Sequence, residues 1–108
     1  MRRAARVDAN QAEVFKAFRK LGCSVWDTSR LGGGFPDCVL GYGGVCITVE
    51  IKDGSKPPSA RKLTPAEIEF RDTWKGGVRL VQNLDDVQIN VGLMRRWHRA
   101  LCADATKP

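Results

Sequence analysis

The sequence predicts an α/β sandwich, and three observations point there. Apolar residues recur at helical spacing from Asn10 to Leu21, two β-prone segments flank a glycine-rich turn near the middle of the chain, and a helix start at Thr64 precedes a further β-prone run. The resulting order of helix, three strands, helix and strand makes the Thr64 helix a crossover between two parallel strands. At 108 residues there is room for one hydrophobic core, so residues 1–108 are read as a single domain.

The elements follow in chain order. Val14, Phe15, Phe18 and Leu21 form the apolar stripe of the first helix, with Asp8 or Asn10 as its cap and Gly22 as its terminator. "CSVW" (23–26) is a short strand and "SRLGGGF" (29–35) a glycine-rich link. The strands "PDCVLG" and "VCITVEIK" are joined through "GYGG" at 41–44. In "DGSKPPSARK", Pro57 and Pro58 forbid regular structure, which makes it a polar loop. "LTPAE" then starts a helix, with Thr64 as cap, Pro65 at the first helical position and Glu67 completing a capping box. Ile68, Phe70 and Trp74 are expected on its inner side, and Gly76-Gly77 ends it. "VRLVQ" (78–82) is the last strand. Asn83 caps a short helix through Val91, and Leu93 to Cys102 forms a final helix. No internal repeat is visible.

Composition narrows the classes. With 43% apolar and 28% charged residues, and no apolar run near the roughly 20 residues that span a bilayer, the chain is expected to be soluble. "MRRAARVDANQAEVF" lacks the apolar stretch and cleavage site of a secretory signal, so a cytoplasmic location is expected. Cys23, Cys38, Cys46 and Cys102 lack the close paired spacings of zinc or redox motifs and are read as reduced thiols acting as small core residues. Eighteen Lys and Arg against twelve Asp and Glu leave a net charge of +6, which favours a polyanionic partner.

The central hairpin carries the chemistry. An even-membered turn, either Tyr42-Gly43 or Gly41 to Gly44, pairs Leu40 with Val45 and Cys38 with Ile47. Strand alternation adds Val49 and Ile51 to the same apolar face. The other face then holds Asp37, opposite Thr48, with Glu50 and Lys52 following. Asp37 and Glu50 become diagonal neighbours about 7 to 8 Å apart at the backbone, close enough for both carboxylates to reach one ion. A hard divalent cation such as Mg²⁺ takes oxygen ligands and keeps several waters, so two carboxylates and a carbonyl suffice. Lys52, one pleat further along, can hold a phosphate oxygen or the attacking water. Two acids and a lysine on one face suit phosphodiester hydrolysis. The competing reading is an ordinary same-face Glu50–Lys52 ion pair, worth under about 1 kcal/mol.

"GGGFPDCVLG…ITVEIKDGSKPPSARKLTPAE" resembles the PD-(D/E)XK nucleases, specifically the small virus-type replication-repair nuclease (VRR-NUC) domains of phages and some DNA-repair enzymes, over roughly Asp8 to Val87. The resemblance implies a restriction-endonuclease-like αβββαβ core with a mixed central sheet flanked by helices, here with an extra C-terminal helix. It implies Mg²⁺ or Mn²⁺ dependence, endonuclease activity on branched DNA such as junctions or flaps, a role in repair, recombination or phage replication, and a homodimer. Carried over by residue, it makes Asp37 and Glu50 metal ligands, Ile51 a carbonyl ligand and Lys52 the catalytic lysine. Glu13 resembles the acid that related nucleases lend to the metal shell, although a helix Glu is also commonly just solvated. Relatives often have Gln where this chain has Glu67, so capping is the reading kept for Glu67.

Arg30, Lys56, Arg61 and Lys62 flank the site from two loops, and with Gly33 and Gly34 of the link they are candidates for holding a DNA backbone without reading sequence. His98, among Arg95, Arg96 and Arg99, reads as a surface residue. Met94, Trp97 and Leu101 share a helix face that can bury against the core or a second subunit, and Trp26 and Trp74 are assigned to packing. Two further readings stay open: a non-catalytic nucleic-acid-binding or interaction module on the same fold, and a nuclease directed at RNA.

Overall fold

The computed structural model describes residues 7–106. Among them are α1 (Gln11–Lys20), β1 (Ser24–Asp27), β2 (Cys38–Tyr42), β3 (Val45–Ile51), a 3-10 turn (Pro58–Ala60), α2 (Pro65–Thr73), β4 (Val78–Val81) and α3 (Leu84–Thr106). The sheet order is β1-β2-β3-β4. The first three strands are antiparallel and β4 runs parallel to β3, as a crossover through α2 requires. The molecule is thus α/β, with a four-stranded mixed sheet and three α-helices among the described residues.

One sheet face is the core. Cys38, Leu40, Ile47, Val49 and Ile51 alternate inward and are buried with Val81, against Val14, Phe15 and Phe18 of α1 and Val87, Val91 and Met94 of α3. The spacing of those helix residues follows the 3.6-residue turn, so one stripe of each helix meets the sheet.

The expected break near Gly92 does not occur, and α3 is continuous. A glycine inside a helix costs about 1 kcal/mol relative to alanine, whereas burying an apolar side chain returns about 1.5 to 3 kcal/mol. Val87 and Val91 before Gly92 and Met94 after it all lie in the core, so packing outweighs the local penalty. The helix starts where expected, with the Asn83 side chain accepting from the Asp86 N–H at 2.9 Å. Trp97 and Leu101 stay exposed, and only Met94 of that trio is buried. His98 is half-buried, its Nδ1 2.8 Å from the Gly43 carbonyl oxygen, which fastens α3 to the hairpin turn.

The hairpin register differs from the expected one by two residues. Cys38 pairs with Val49 and Leu40 with Ile47, and the turn is Gly43-Gly44 with φ of +52° and +83°. A two-residue turn of this kind needs positive φ at both central positions, which two glycines meet without strain and Tyr42 would not. A shift of two preserves parity, so every residue keeps its predicted face.

The other face carries α2. Its start matches the expected capping box: the Thr64 hydroxyl accepts from the Glu67 N–H at 3.2 Å, and Glu67 Oε1 accepts from the Thr64 N–H at 2.7 Å. Its inner side does not match. No α2 residue is buried, Ile68 and Trp74 are exposed, and half-buried Phe70 packs edge-on to Phe35 and stacks on Trp74. A cavity of about 90 Å³ remains between α2 and the sheet, bounded by Glu50, Glu67, Phe70, Val78 and Leu80.

Cys23 and Cys38 are buried thiols, as expected, but Cys46 and Cys102 are exposed; all four are free. Trp26 is also exposed and does not pack. No helix among the described residues is long and apolar enough to cross a membrane.

Candidate active site

Asp37 lies just before β2, past the last ladder pair Cys38–Val49, and its carboxyl still comes within hydrogen-bonding reach of Glu50. Pro36 has no N–H, so the backbone ladder ends beside it. The Asp37 side chain takes over: its Oδ2 accepts from the Ile51 N–H at 2.7 Å, and its backbone N–H donates to the Val49 carbonyl at 2.9 Å. Asp37 is thereby fixed on β3 at both ends. Its carboxyl lies within hydrogen-bonding reach of Glu50, whose own carboxyl also reaches Glu67.

Lys52 closes this row of acids. Its Nζ donates to Glu67 Oε1 at 3.0 Å and lies 3.9 Å from Glu50 Oε1, with only 12% of the side chain exposed. Glu67 therefore caps α2 and holds the lysine with the same oxygen. Asn10, just before α1, donates from Nδ2 to the Lys52 and Gln82 carbonyls, both at 3.2 Å. That contact ties the end of β3 to the residue following β4.

The electrostatics follow from burial and crowding. Burial raises the Glu50 pKa well above the usual carboxylate range, and hydrogen bonds and repulsion from Glu67 and Asp37 raise it further. Asp37 is also raised, chiefly by burial, against the lowering effect of the Ile51 N–H. Burial acts to raise Glu67, but hydrogen bonds from Glu50, the Thr64 N–H and Lys52 prevail and bring it down to about 2. At Lys52 burial acts to lower the pKa, yet the hydrogen bond and charge of Glu67, with Glu50 and Asp8, leave it raised. Lys52 thus stays an ammonium.

Two crowded carboxyls that hold a proton rather than ionise together lack positive charge. That is the condition a divalent cation relieves. Among the described residues no group of three or more His, Cys, Asp or Glu side chains is arranged to hold a metal. A hard ion that keeps its waters needs fewer protein ligands than that, so the Asp37–Glu50 pair fits one.

Three of the remaining predicted residues line two hollows. Lys56 and Lys62 border an open groove of about 710 Å³ together with Asp8, Lys52, Thr64 and Glu67. Glu13 is exposed on a separate hollow of about 600 Å³, beside Asn10, Asp53 and Gln82. Arg61 is half-buried and occupied: its guanidinium donates to the Lys56 carbonyl at 2.7 Å and to Gln82 Oε1 at 2.8 Å, pinning the polar loop to the end of β4. Arg30 is exposed. Gly33 faces open space, whereas a side chain on Gly34, at φ +82°, would run into the Ala66 carbonyl. Gly34 therefore seats the link against the first turn of α2.

No family model, curated protein or solved structure matches the chain.

The sequence reading missed two contributors. Asp8, considered only as a cap, shares the groove with Lys52 and acts electrostatically on Asp37 and Lys52. Glu67, read as a cap, also orients Lys52. The capping spacing places a carboxylate at the start of α2, but nothing local says that this helix end sits over β3.

Proposed function

We propose that the protein is a metal-dependent DNA endonuclease of the restriction-endonuclease-like, VRR-NUC type, cutting phosphodiester bonds at Asp37, Glu50 and Lys52. The supporting observation is the meeting of the Asp37 and Glu50 carboxyls, with the Lys52 ammonium 3.9 Å from Glu50. Asp37, Glu50 and the Ile51 carbonyl are the groups that would hold Mg²⁺ or Mn²⁺. When bound, the ion supplies the charge that polarises a phosphodiester and makes water acidic enough to ionise near neutrality.

The chain's own groups do the rest. Lys52, kept charged and oriented by Glu67, donates to a phosphate oxygen as negative charge grows there, a stabilisation that preorganised donors supply without reorganising. Lys56 and Lys62 on the rim of the groove attract the neighbouring phosphates and position the strand without reading bases. The fixed Asp37 keeps its carboxylate from rotating away between turnovers. A branched substrate, a homodimer and a role in repair, recombination or phage replication belong to the same reading and rest on the sequence resemblance.

The test uses Asp37→Ala, Glu50→Ala and Lys52→Ala with labelled linear and branched DNA in Mg²⁺ or Mn²⁺. Each variant is expected to stay folded and lose cutting. A folded Lys52→Ala protein that cuts at the wild-type rate overturns the mechanism. Calorimetric titration with Mn²⁺ separates a nuclease from a binding-only module, and competition by RNA tests the nucleic-acid class.

A further inference from the structure

Trp26 is 75% exposed on the face that carries the acids. In the β1–β2 register it pairs with Val39, two residues from Asp37, and the Thr28 N–H donates to the Asp37 carbonyl at 2.9 Å. Trp26 and Asp37 are diagonal neighbours, about 7 to 8 Å apart at the backbone. A tryptophan gains more from burial than almost any side chain, yet this ring stands in solvent at the edge of the sheet beside the proposed site. One cation is close along the chain on the loop side: Arg30 is exposed in the link that follows β1.

We propose that Trp26 is the stacking platform for an unpaired base of the strand that is cut, which makes it a specificity-determining residue. This deepens the nuclease reading and rests on it. In a duplex the base faces are stacked on one another and closed to a side chain. A flipped-out, gapped or single-stranded base offers its face, and any base serves because each has a π surface. The ring holds the base, the exposed Arg30 meets a flanking phosphate, and the adjacent phosphodiester is brought towards Asp37. Cutting then favours a strand that is single-stranded next to the scissile bond.

The test needs no cutting and is run in EDTA with the whole chain. A short oligodeoxythymidylate and a blunt duplex are the probes. The Trp74→Phe/Trp97→Phe double variant leaves Trp26 as the sole tryptophan reporter. Oligothymidylate is expected to quench its emission. Trp26→Ala is expected to weaken oligothymidylate binding by about tenfold or more, Trp26→Phe by less, and blunt-duplex binding by no more than about twofold. An oligothymidylate carrying abasic positions should bind the wild type more weakly than the intact strand and bind Trp26→Ala equally with either. The proposal is overturned if oligothymidylate does not bind, if it binds without quenching, or if Trp26→Ala loses duplex and oligothymidylate in step, as it would for a ring that covers a protein partner or only supports β1. Should Trp26→Ala misfold, the quenching and Trp26→Phe results still decide. Failure of the nuclease reading is seen separately, as no cutting by the wild type in Mn²⁺ or undiminished cutting by Glu50→Gln.

Discussion

Replacing Glu50 by glutamine should make the metal-free protein more stable at neutral pH, and the sign follows from its surroundings. Burial and the neighbouring acids raise the folded-state pKa of Glu50 far above its unfolded value. Between those two values the unfolded chain has released a proton that the fold retains, so stability falls as pH rises, by about 1.4 kcal/mol per pH unit for one full proton. From pH 5 to 7 that reaches about 3 kcal/mol, and sharing of the proton with Asp37 reduces it to between about 1 and 3 kcal/mol. Glu67 has the opposite sign. Its pKa is brought down to about 2, so its contribution is present above the ordinary carboxylate value and is lost as pH falls towards the folded value. Metal-free stability should therefore peak near the ordinary carboxylate range and decline on both sides. Urea unfolding in EDTA at several pH values measures it. The wild type should lose stability from pH 5 to 8, Glu50→Gln should lose less because only the burial-raised Asp37 remains, and Mn²⁺ should flatten the wild-type curve more than the variant's. A wild-type curve that is level or rising over that range, or a Glu50→Gln curve with the same slope, refutes the crowding argument.

Two further substitutions probe how the site is held. Gly34→Ala places a methyl group against the Ala66 carbonyl at a backbone φ of +82°, so it should cost at least about 1 to 3 kcal/mol in denaturant unfolding and slow cutting by displacing α2, which carries Glu67. A change no larger than that of an alanine at open Gly33 would show that the link and α2 do not touch. Asn10→Ala removes both donations to the Lys52 and Gln82 carbonyls and should lower stability by about 1 to 2 kcal/mol, with a rise in amide exchange at the end of β3. Unchanged exchange at Lys52 would mean that Asn10 does not secure β3.

Much of the fold was legible because its signals are local. The capping box needs only the spacing of Thr64 and Glu67, and both strands of the hairpin announce themselves by alternation. The register was the exception, and the error is instructive. Positive φ at two successive turn positions was required, and Gly43-Gly44 supplied it, but a turn centred on Tyr42-Gly43 satisfied the same apolar pattern. Burial selects faces and is blind to a slip of two, so only turn chemistry could have separated the two registers. Because parity survived, Asp37, Glu50 and Lys52 were placed on the same face, and the two carboxyls meet there. The division of α3 at Gly92 failed for the converse reason, since a local propensity was set against three core side chains whose partners are distant in sequence. Glu67 and Asp8 were hidden in the same way. Their bearing on Lys52 depends on how the start of α2 and the segment before α1 meet the end of β3, and no periodicity encodes that meeting. Exposure was equally illegible: a tryptophan in a strand reads as packing until a sheet edge is seen to leave it uncovered. The features invisible to pattern are thus those made by elements converging at the mouth of the groove, and it is there that Lys52 acquires the fixed ammonium on which hydrolysis at this site would depend.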